Sequence, residues 1–303
     1  MTDTGFALFG TDLFGEPIQP AAKGVIHERF TMPPFSVLDG RCGEWQDRKD
    51  AWKAIGIKGE HGRQSNLLRM SKTVTLGEKD TSIFDPVLCE LAYSWFCPSG
   101  GQVVDPFAGG SVRGVVASCL GYRYWGCDLR QEQIESNEDQ AREICSDPMP
   151  EWACGDSTEV LADSPKADFL FSCPPYGDLE RYSDNPKDLS TMEYHTFTAA
   201  YRLIIMKALA RLKDNRFACF VVGDFRDAKG FLRDFVSETI RAFTMQGAQL
   251  YNDFILVIPV GSASLRVANG FVASRKMCRT HQNVLVFCKG DPRLATRAIE
   301  VHQ

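Results

Sequence analysis

The stretch with the most distinctive chemistry is a tetrapeptide, Cys173-Pro174-Pro175-Tyr176, which follows an apolar run at residues 167–172. A proline has a fixed backbone angle and no N–H, so a Pro-Pro pair orients a carbonyl that has no competing donor next to it. Such a carbonyl can accept a hydrogen from the exocyclic amine of a nucleobase, and an aromatic residue beside it can stack on the base. We therefore interpret Pro174 as an acceptor and Tyr176 as a stacking residue. The alternative is that the prolines only terminate a buried strand.

A glycine turn at residues 103–111, VVDPFAGGS, is the second candidate. A strand that runs into Gly109 and Gly110 can bring a ligand close to the backbone at the start of a helix. Asp105 stands just before the glycines, where a carboxylate repels pyrophosphate but attracts an ammonium or a sulfonium. Asp128 follows about 20 residues later, the spacing at which a carboxylate reaches ribose hydroxyls. Together these features favour S-adenosylmethionine (SAM) as cofactor, with its ammonium near Asp105.

The elements around these motifs alternate between strand and helix, which predicts an α/β fold with a doubly wound, mostly parallel sheet. Ligands of such sheets bind at the carboxyl ends of the strands. The last two apolar runs, residues 249–260 and 282–290, are joined by an insert without a convincing helix. We therefore expect them to form an antiparallel terminal hairpin at one sheet edge. The other predicted strands are 102–107, 122–129, 151–156, 167–175 and 216–224, and the predicted helices are 85–97, 112–121, 130–145, 196–212 and 230–243.

From about Asn66 to Pro292 the chain resembles the SAM-dependent DNA amino-methyltransferases, which modify adenine N6 or cytosine N4 and include phage-encoded members. The resemblance lies in DPFAGGS, GCDL, GDS and CPPY, in that order, and in TSIFDPVLCELAYSWF ahead of the first strand. It implies a Rossmann-like methyltransferase, SAM as cofactor, a flipped base in duplex DNA as substrate, and no metal. By this likeness the catalytic residues are Cys173, Pro174, Pro175 and Tyr176, and the cofactor-binding residues are Phe84, Asp85, Asp105, Phe107, Ala108, Gly109, Asp128 and Asp156.

Two positions depart from the family pattern. Ser111 replaces the second glycine of the turn, and Cys173 stands where Asp, Asn or Ser is usual. A thiol is a weak hydrogen-bond acceptor, so the tetrapeptide does not decide between adenine N6, which we favour, and cytosine N4. Cys173 also leaves open a cytosine C5 methyltransferase that uses its thiolate. Two further alternatives are a methyltransferase that acts on RNA or protein, and a nucleic-acid-binding protein that keeps the fold but has no catalytic activity.

Nucleic-acid contacts are expected from segments outside the core motifs. Residues 1–64 read as a mostly irregular N-terminal extension to a domain at 65–303. In that extension Trp45 and Trp52 lie among basic residues, which suits either stacking and phosphate contact or a helix docked on the main domain. The insert 261–281 has four basic residues and no acidic one. The predicted contacts are Arg181, Tyr182, Arg266, Arg275, Lys276 and Arg279.

Composition sets the remaining limits. The net charge of −5 is unusual for a DNA-binding protein, so local basic segments matter more than the sum. The 11 cysteines are scattered and include no CxxC pair, which indicates reduced thiols and no metal site. No apolar run approaches the roughly 20 residues that span a bilayer, and the first residues do not resemble an export signal. We therefore expect a cytoplasmic protein of a bacterium or a phage-infected cell, without a membrane partner.

Overall fold

The computed structural model describes residues 29–57, 84–177, 183, 185–259 and 263–300. Residues Met1–Pro34 and Phe35–Gln303 fall into two compact units, and the first is described only at 29–34. The described strands are β1 (Val37–Asp39), β2 (Gln102–Asp105), β3 (Arg123–Asp128), β4 (Glu151–Cys154), β5 (Ala167–Ser172), β6 (Leu212–Val222), β7 (Ala248–Val257) and β8 (His281–Lys289). The described helices are α1 (Gly43–Ala54), α2 (Pro86–Phe96), α3 (Val112–Cys119), α4 (Gln131–Ile144), α5 (Ser157–Val160), α6 (Tyr194–Arg211), α7 (Phe235–Thr244), α8 (Ala263–Ser274) and α9 (Pro292–Glu300).

The eight described strands form one sheet in the order β1-β7-β8-β6-β5-β2-β3-β4. Strand β8 runs antiparallel to both its neighbours, and all the other pairs are parallel. Helices cover both faces, so the predicted doubly wound, mostly parallel α/β fold is confirmed. The strand order reverses between β2 and β5, which lie side by side although β3 and β4 come between them in the chain. This is the position at which such sheets bind ligands.

The predicted antiparallel pairing of the last two strands is confirmed, but their predicted place at the sheet edge is wrong. Strand β8 is inserted between β7 and β6, and β1 pairs with the outer side of β7, with Val37 opposite Ile255. The sequence gives little sign of β1, because a strand of three residues is too short to show an alternating pattern. The edge of the described sheet is therefore supplied by the N-terminal part of the chain.

Two helices lie in segments that were expected to be irregular. Helix α1 falls within the N-terminal 64 residues, and α8 lies in the insert between β7 and β8. Gly270 and Asn269 lower the helix propensity of α8, which is why the sequence did not suggest it. Neither helix, nor any other that the structure describes, is long and apolar enough to cross a bilayer.

The core forms because β5 is buried along its whole length and is flanked by apolar helix faces. On one face, α6 and α7 pack aromatic side chains against the sheet, including a stacked pair of Phe243 and Phe287 with ring centroids 3.9 Å apart. On the other face, α2 begins at Pro86 and packs against α3 and α1. This arrangement leaves the carboxyl ends of β2 to β5 uncovered at one edge.

Candidate active site

A cavity of about 410 Å³ lies at this edge, within the size range of small-molecule sites. The turns after β2, β3, β4 and β5 all contribute to its wall. The structure thus brings together residues that are far apart in the chain and were predicted from separate motifs. The predicted residues that line it are Phe84, Asp85, Phe107, Gly109, Asp128, Asp156, Cys173, Pro174, Pro175 and Tyr176.

Tyr176 is held in place by aromatic neighbours and by its hydroxyl. The ring lies 6.4 Å from the rings of both Phe225 and Phe235, measured between centroids. Its hydroxyl accepts a hydrogen bond from Gln282 Nε2 at 3.2 Å. A side chain fixed at both ends loses little further freedom when a planar group stacks on it, so the site is preorganised for a flat ligand.

The chain turns sharply directly after Tyr176. Gly177 has a φ of 54°, and a Cβ at this position would lie only 2.9 Å from the ring of Phe225. A residue with a side chain would therefore be strained and would also push on the ring that supports Tyr176. Pro174 is buried, whereas Cys173 and Pro175 are half-buried in the cavity wall. The Sγ of Cys173 lies 3.9 Å from the Tyr176 hydroxyl.

Two carboxylates stand at the ends of β3 and β4. Asp128 accepts a hydrogen bond from the backbone amide of Arg130 at 2.9 Å and also forms an ion pair with the Arg130 guanidinium. Asp156 caps the short helix α5 through the amide of Thr158, and its Oδ2 lies 3.9 Å from Lys187 Nζ. Both carboxylates line the cavity, so these two predicted cofactor-binding side chains lie at the expected edge of the sheet.

Asp105 requires a correction. It was expected to face a cofactor ammonium, but it is fully buried and does not line the cavity. Its Oδ2 accepts from Arg113 Nε at 2.6 Å and from the Tyr124 hydroxyl at 2.8 Å, and its Oδ1 accepts from the Phe107 amide and the Ser172 hydroxyl. A carboxylate that lies outside the cavity wall and is bonded to the turn through both oxygens is placed to organise the turn. Ala108 is likewise fully buried and outside the wall.

Arg113 is the centre of the turn, although no sequence motif marks it. Its Nη2 donates to the carbonyls of Phe107 and Ala108, and its guanidinium carbon lies 4.6 Å from the centroid of the Phe84 ring. Burial is the largest single influence and lowers the pKa of this side chain, but the attraction of Asp105, Tyr124 and Cys173 and the hydrogen bond to Asp105 together outweigh burial and raise the pKa. A permanently charged Arg113 therefore fixes the turn and forms part of the cavity wall.

Ser111, the departure from the family pattern, is buried and bonds to the neighbouring helix. Its hydroxyl donates to Gln140 Oε1 at 3.0 Å, while Asn137 donates to the carbonyl of Gly109 at 2.8 Å. Gly109 has a φ of 50°, which favours glycine. Hydrogen bonds from α4 therefore hold the conformation of this turn, in which Ser111 stands in place of the second glycine.

The N-terminal helix α1 contributes one side chain, Lys49, to the cavity wall. Trp45 is buried and donates from Nε1 to Asp85 Oδ2 at 3.2 Å. One turn later on the same helix, Lys49 donates to the same oxygen at 2.9 Å and lines the cavity. Trp52 donates to Glu90 of α2 at 3.0 Å. Of the two interpretations of these tryptophans, the structure shows the helix docked on the main domain.

Charge is balanced around the cavity. Each lining carboxylate considered above has a cation within an ion-pair distance, and buried Asp105 has Arg113. A polyphosphate would bring several negative charges to a wall that already holds as many carboxylates as cations. The wall carries Asp85, Asp128, Asp156 and Asp188 together with Lys49, Arg113, Arg130 and Lys187.

The predicted nucleic-acid contacts are spread over several segments. Arg279 Nη2 donates to Asp224 Oδ2 at 3.2 Å, close to Tyr176, whereas Arg275 and Lys276 are exposed beyond the end of α8. Arg181 and Tyr182 lie outside the described residues, as does the side chain of Arg266, which belongs to α8.

Besides Arg113, the wall contains Lys49, Arg130, Lys187, Asp188 and Gln282, which no sequence motif marks. Only Lys49 carries a local signal, because it lies four residues after the buried Trp45 on one helix face. All eleven cysteines are free thiols, and within the described residues no group of three or more His, Cys, Asp or Glu side chains could hold a metal ion.

No protein-family model matches the chain, and no curated protein matches it in sequence. Among solved structures, a candidate RNA methyltransferase from Pyrococcus horikoshii is similar over 81% of this chain and 100% of its own, with 15% identity and a TM-score of 0.51. TrmN from Thermus thermophilus (14% identity, TM-score 0.45) matches 68% of this chain, which spans only about half, 49%, of TrmN. Magnesium protoporphyrin IX methyltransferase from Synechocystis with bound SAM (9% identity, TM-score 0.43) matches 68% of this chain and 79% of its own. This chain therefore has the Rossmann-like α/β fold found in methyltransferases.

Proposed function

We propose that the protein transfers a methyl group from SAM to the exocyclic amine of a nucleobase that has left its stack. The observation that carries the proposal is that Pro174, Pro175 and Tyr176 line the same cavity as Asp128 and Asp156. A site for a nucleoside and a site for a flat amine-bearing ring thus share one cavity. That combination is what a methyl donor and a base acceptor require.

The balanced charge of the wall supports SAM over a phosphate-bearing cofactor. We assign Asp128 to the ribose and Asp156 to the adenine side, as the resemblance implies. Since Asp105 is fully buried outside the cavity wall, whereas Asp85 and Lys49 line the cavity, we assign the amino-acid end of the cofactor to Asp85 and Lys49. Their carboxylate and ammonium, 2.9 Å apart, complement a group that carries an ammonium and a carboxylate of its own.

In the proposed reaction, Tyr176 stacks on the base and the carbonyl of Pro174 accepts a hydrogen of the amine, which frees the nitrogen lone pair. SAM supplies a methyl carbon that is electrophilic because it is bonded to a sulfonium. The amine nitrogen bonds to this carbon as the carbon–sulfur bond breaks, and the electron pair of that bond stays on sulfur. The methylated nitrogen then releases a proton to solvent. Most of the rate enhancement comes from positioning, which can contribute up to about 7–11 kcal/mol.

Duplex DNA is our first choice of substrate, with adenine N6 favoured over cytosine N4. An RNA substrate is the second candidate, and it is supported by the assignment given to the Pyrococcus horikoshii protein, although that likeness concerns the fold. A protein amide poses the same chemical problem as a base amine. Methylation at cytosine C5 would instead need the Cys173 thiolate as nucleophile.

The test is to incubate the protein with methyl-tritiated SAM and duplex DNA, RNA or protein, and to identify the labelled nucleoside after digestion. N6-methyladenine or N4-methylcytosine in DNA supports the proposal, and label in RNA supports the second candidate. The Cys173→Ser variant separates the mechanisms, because amine methylation should survive this change and C5 methylation should not. Binding of S-adenosylhomocysteine without transfer to any substrate would contradict the proposal.

A further inference from the structure

A short hairpin at residues 225–233 lies beside Tyr176 and has exposed apolar side chains. Phe231 is 70% exposed and Leu232 is 52% exposed. Isolated exposed apolar residues are common, but two adjacent ones at the end of a hairpin, directly after its turn at residues 227–230 and beside a binding cavity, indicate a contact surface.

The hairpin is built to hold this tip still. Arg226 and Leu232 form an antiparallel bridge, and the Arg233 amide donates to the Phe225 carbonyl at 2.9 Å. Within the turn, the Phe231 amide donates to Asp227 Oδ1 at 2.9 Å, and Arg226 Nη1 donates to the carbonyl of Gly230 at 2.9 Å. The exposure of the tip is therefore not a result of loose local structure.

The base of the hairpin packs against Tyr176 in the cavity wall. Phe225 is buried against Tyr176, and a Cβ on Gly177 would lie 2.9 Å from the ring of Phe225. Phe225 also packs on Phe235 at the start of α7. The tip therefore stands at a fixed distance from the residue that we assign to base stacking.

Two basic residues from the segment after α8 lie beside the hairpin. Lys276 Nζ lies so close to Gly230 that a Cβ there would be 2.5 Å from it, and Arg279 pairs with Asp224 at the base of the hairpin. Lys229 lies in the turn of the hairpin and Arg275 directly precedes Lys276 in the chain, and both are exposed. An apolar tip flanked by cations fits a partner with a stacked apolar interior and an anionic backbone, which describes a nucleic-acid duplex.

We propose that the tip formed by Phe231 and Leu232 inserts into the base stack of duplex DNA next to the extruded base, with the neighbouring cations at the phosphates. This inference rests on the proposed function and adds the surface that opens the duplex. Insertion offsets the stacking that is lost when the target base leaves, and that loss amounts to a few kcal/mol.

The test uses the double variant Phe231→Ala/Leu232→Ala and a short duplex built around a position that the wild-type protein methylates. We expect kcat/KM to fall about 10- to 100-fold on the paired duplex. On the same duplex with an abasic site opposite the target, activity should return to within about threefold of wild type, because the base is already unpaired. The control, Met245→Ala, removes a side chain of similar exposure, 69%, at the other end of α7 and should change neither value.

An equal loss on both duplexes, or no loss on either, would overturn the proposal, as would a wild-type protein that methylates only single-stranded RNA. A failure of the proposed function has a different signature, because the wild-type protein itself would then methylate no nucleic acid. Binding of S-adenosylhomocysteine by the double variant, measured by calorimetry, should equal that of wild type and shows that the cavity is intact.

Discussion

Lys49 Nζ lies 2.9 Å from Asp85 Oδ2, and both side chains line the cavity although Lys49 belongs to α1 and Asp85 precedes α2. Asp85 also caps α2 through the amides of Val87 and Leu88, and it accepts from Trp45. The carboxylate is therefore fixed before any ligand binds. An ammonium has three N–H donors, so Lys49 can bind a second acceptor while it keeps the bond to Asp85.

This geometry predicts that Lys49→Met weakens binding of S-adenosylhomocysteine about tenfold, since one charged contact of about 1.4 kcal/mol is lost. Binding of 5′-deoxy-5′-methylthioadenosine, which lacks the amino-acid end, should not change. Calorimetric titration of both ligands measures the difference. Lys53→Met is the matched control, because Lys53 is exposed one turn further along α1 and pairs only weakly with Asp50, at 3.5 Å. An equal loss for both ligands would exclude a role at the amino-acid end.

The buried ion pair of Asp105 and Arg113 predicts an effect on stability. In Arg113→Met a buried carboxylate loses its counter-charge, which should lower the free energy of unfolding by about 3–5 kcal/mol. Urea denaturation followed by circular dichroism measures this. Arg142→Met, which removes an exposed partner of Asp139, should cost less than about 1 kcal/mol.

A substitution of Asp105 distinguishes its two possible roles, which are to organise the turn and to contact the cofactor directly. If its carboxylate organises the turn, Asp105→Ala should lose stability and cofactor binding together. A variant that keeps wild-type stability and loses only S-adenosylhomocysteine binding would instead restore the direct contact that the sequence suggested.

Tyr176 provides a test of the stacking role. Tyr176→Ala should lower kcat about 10- to 100-fold, because stacking on an aromatic ring contributes about 1–3 kcal/mol per base. Binding of S-adenosylhomocysteine should stay within about twofold of wild type. Tyr176→Phe is the matched control: it keeps the ring and loses only the hydrogen bond from Gln282, so most of the activity should remain. Equal losses of turnover and cofactor binding in Tyr176→Ala would contradict the assignment.

The sequence predicted the parts of the fold that are governed by long apolar runs. Strand β5, buried along its length, and the glycine turn after β2 both lie where the motifs put them. The wall also contains residues that no motif marks. Arg113 looks like a surface residue of a helix, and only the three-dimensional structure shows that Asp105 pairs with it and does not line the cavity.

Elements that depend on distant partners could not be predicted. Strand β1 exists because three residues pair with β7, more than 200 positions away in the chain. Helix α1 has weak amphipathic patterning, and its position is decided by hydrogen bonds to Asp85 and Glu90 on α2. These contacts make part of the presumed extension a wall of the site.

Asp168 lies near the amino end of β5, at the opposite end of this strand from the cavity. Its interactions predict how the stability of the protein depends on pH. Burial by itself raises the pKa of this carboxyl, but hydrogen bonds from Lys213 Nζ, the Gln102 amide and Arg216 together hold its pKa below the ordinary value. A group with a lowered pKa in the folded state stabilises the protein above its unfolded pKa of about 4, and this stabilisation is lost as pH falls through the folded pKa.

We therefore expect Asp168→Asn to lower the free energy of unfolding by about 2 kcal/mol at pH 7, the magnitude of a hydrogen bond to a charged group. The difference from wild type should shrink as pH falls below about 4, because wild-type Asp168 is then increasingly protonated. Urea denaturation at a series of pH values measures both. Asp214→Asn is the control, since Asp214 is 81% exposed and its ion pair with Lys289 should contribute less than about 1 kcal/mol. A difference that stays constant from pH 7 to pH 3 would show that the substitution acts through packing and not through the charge of Asp168.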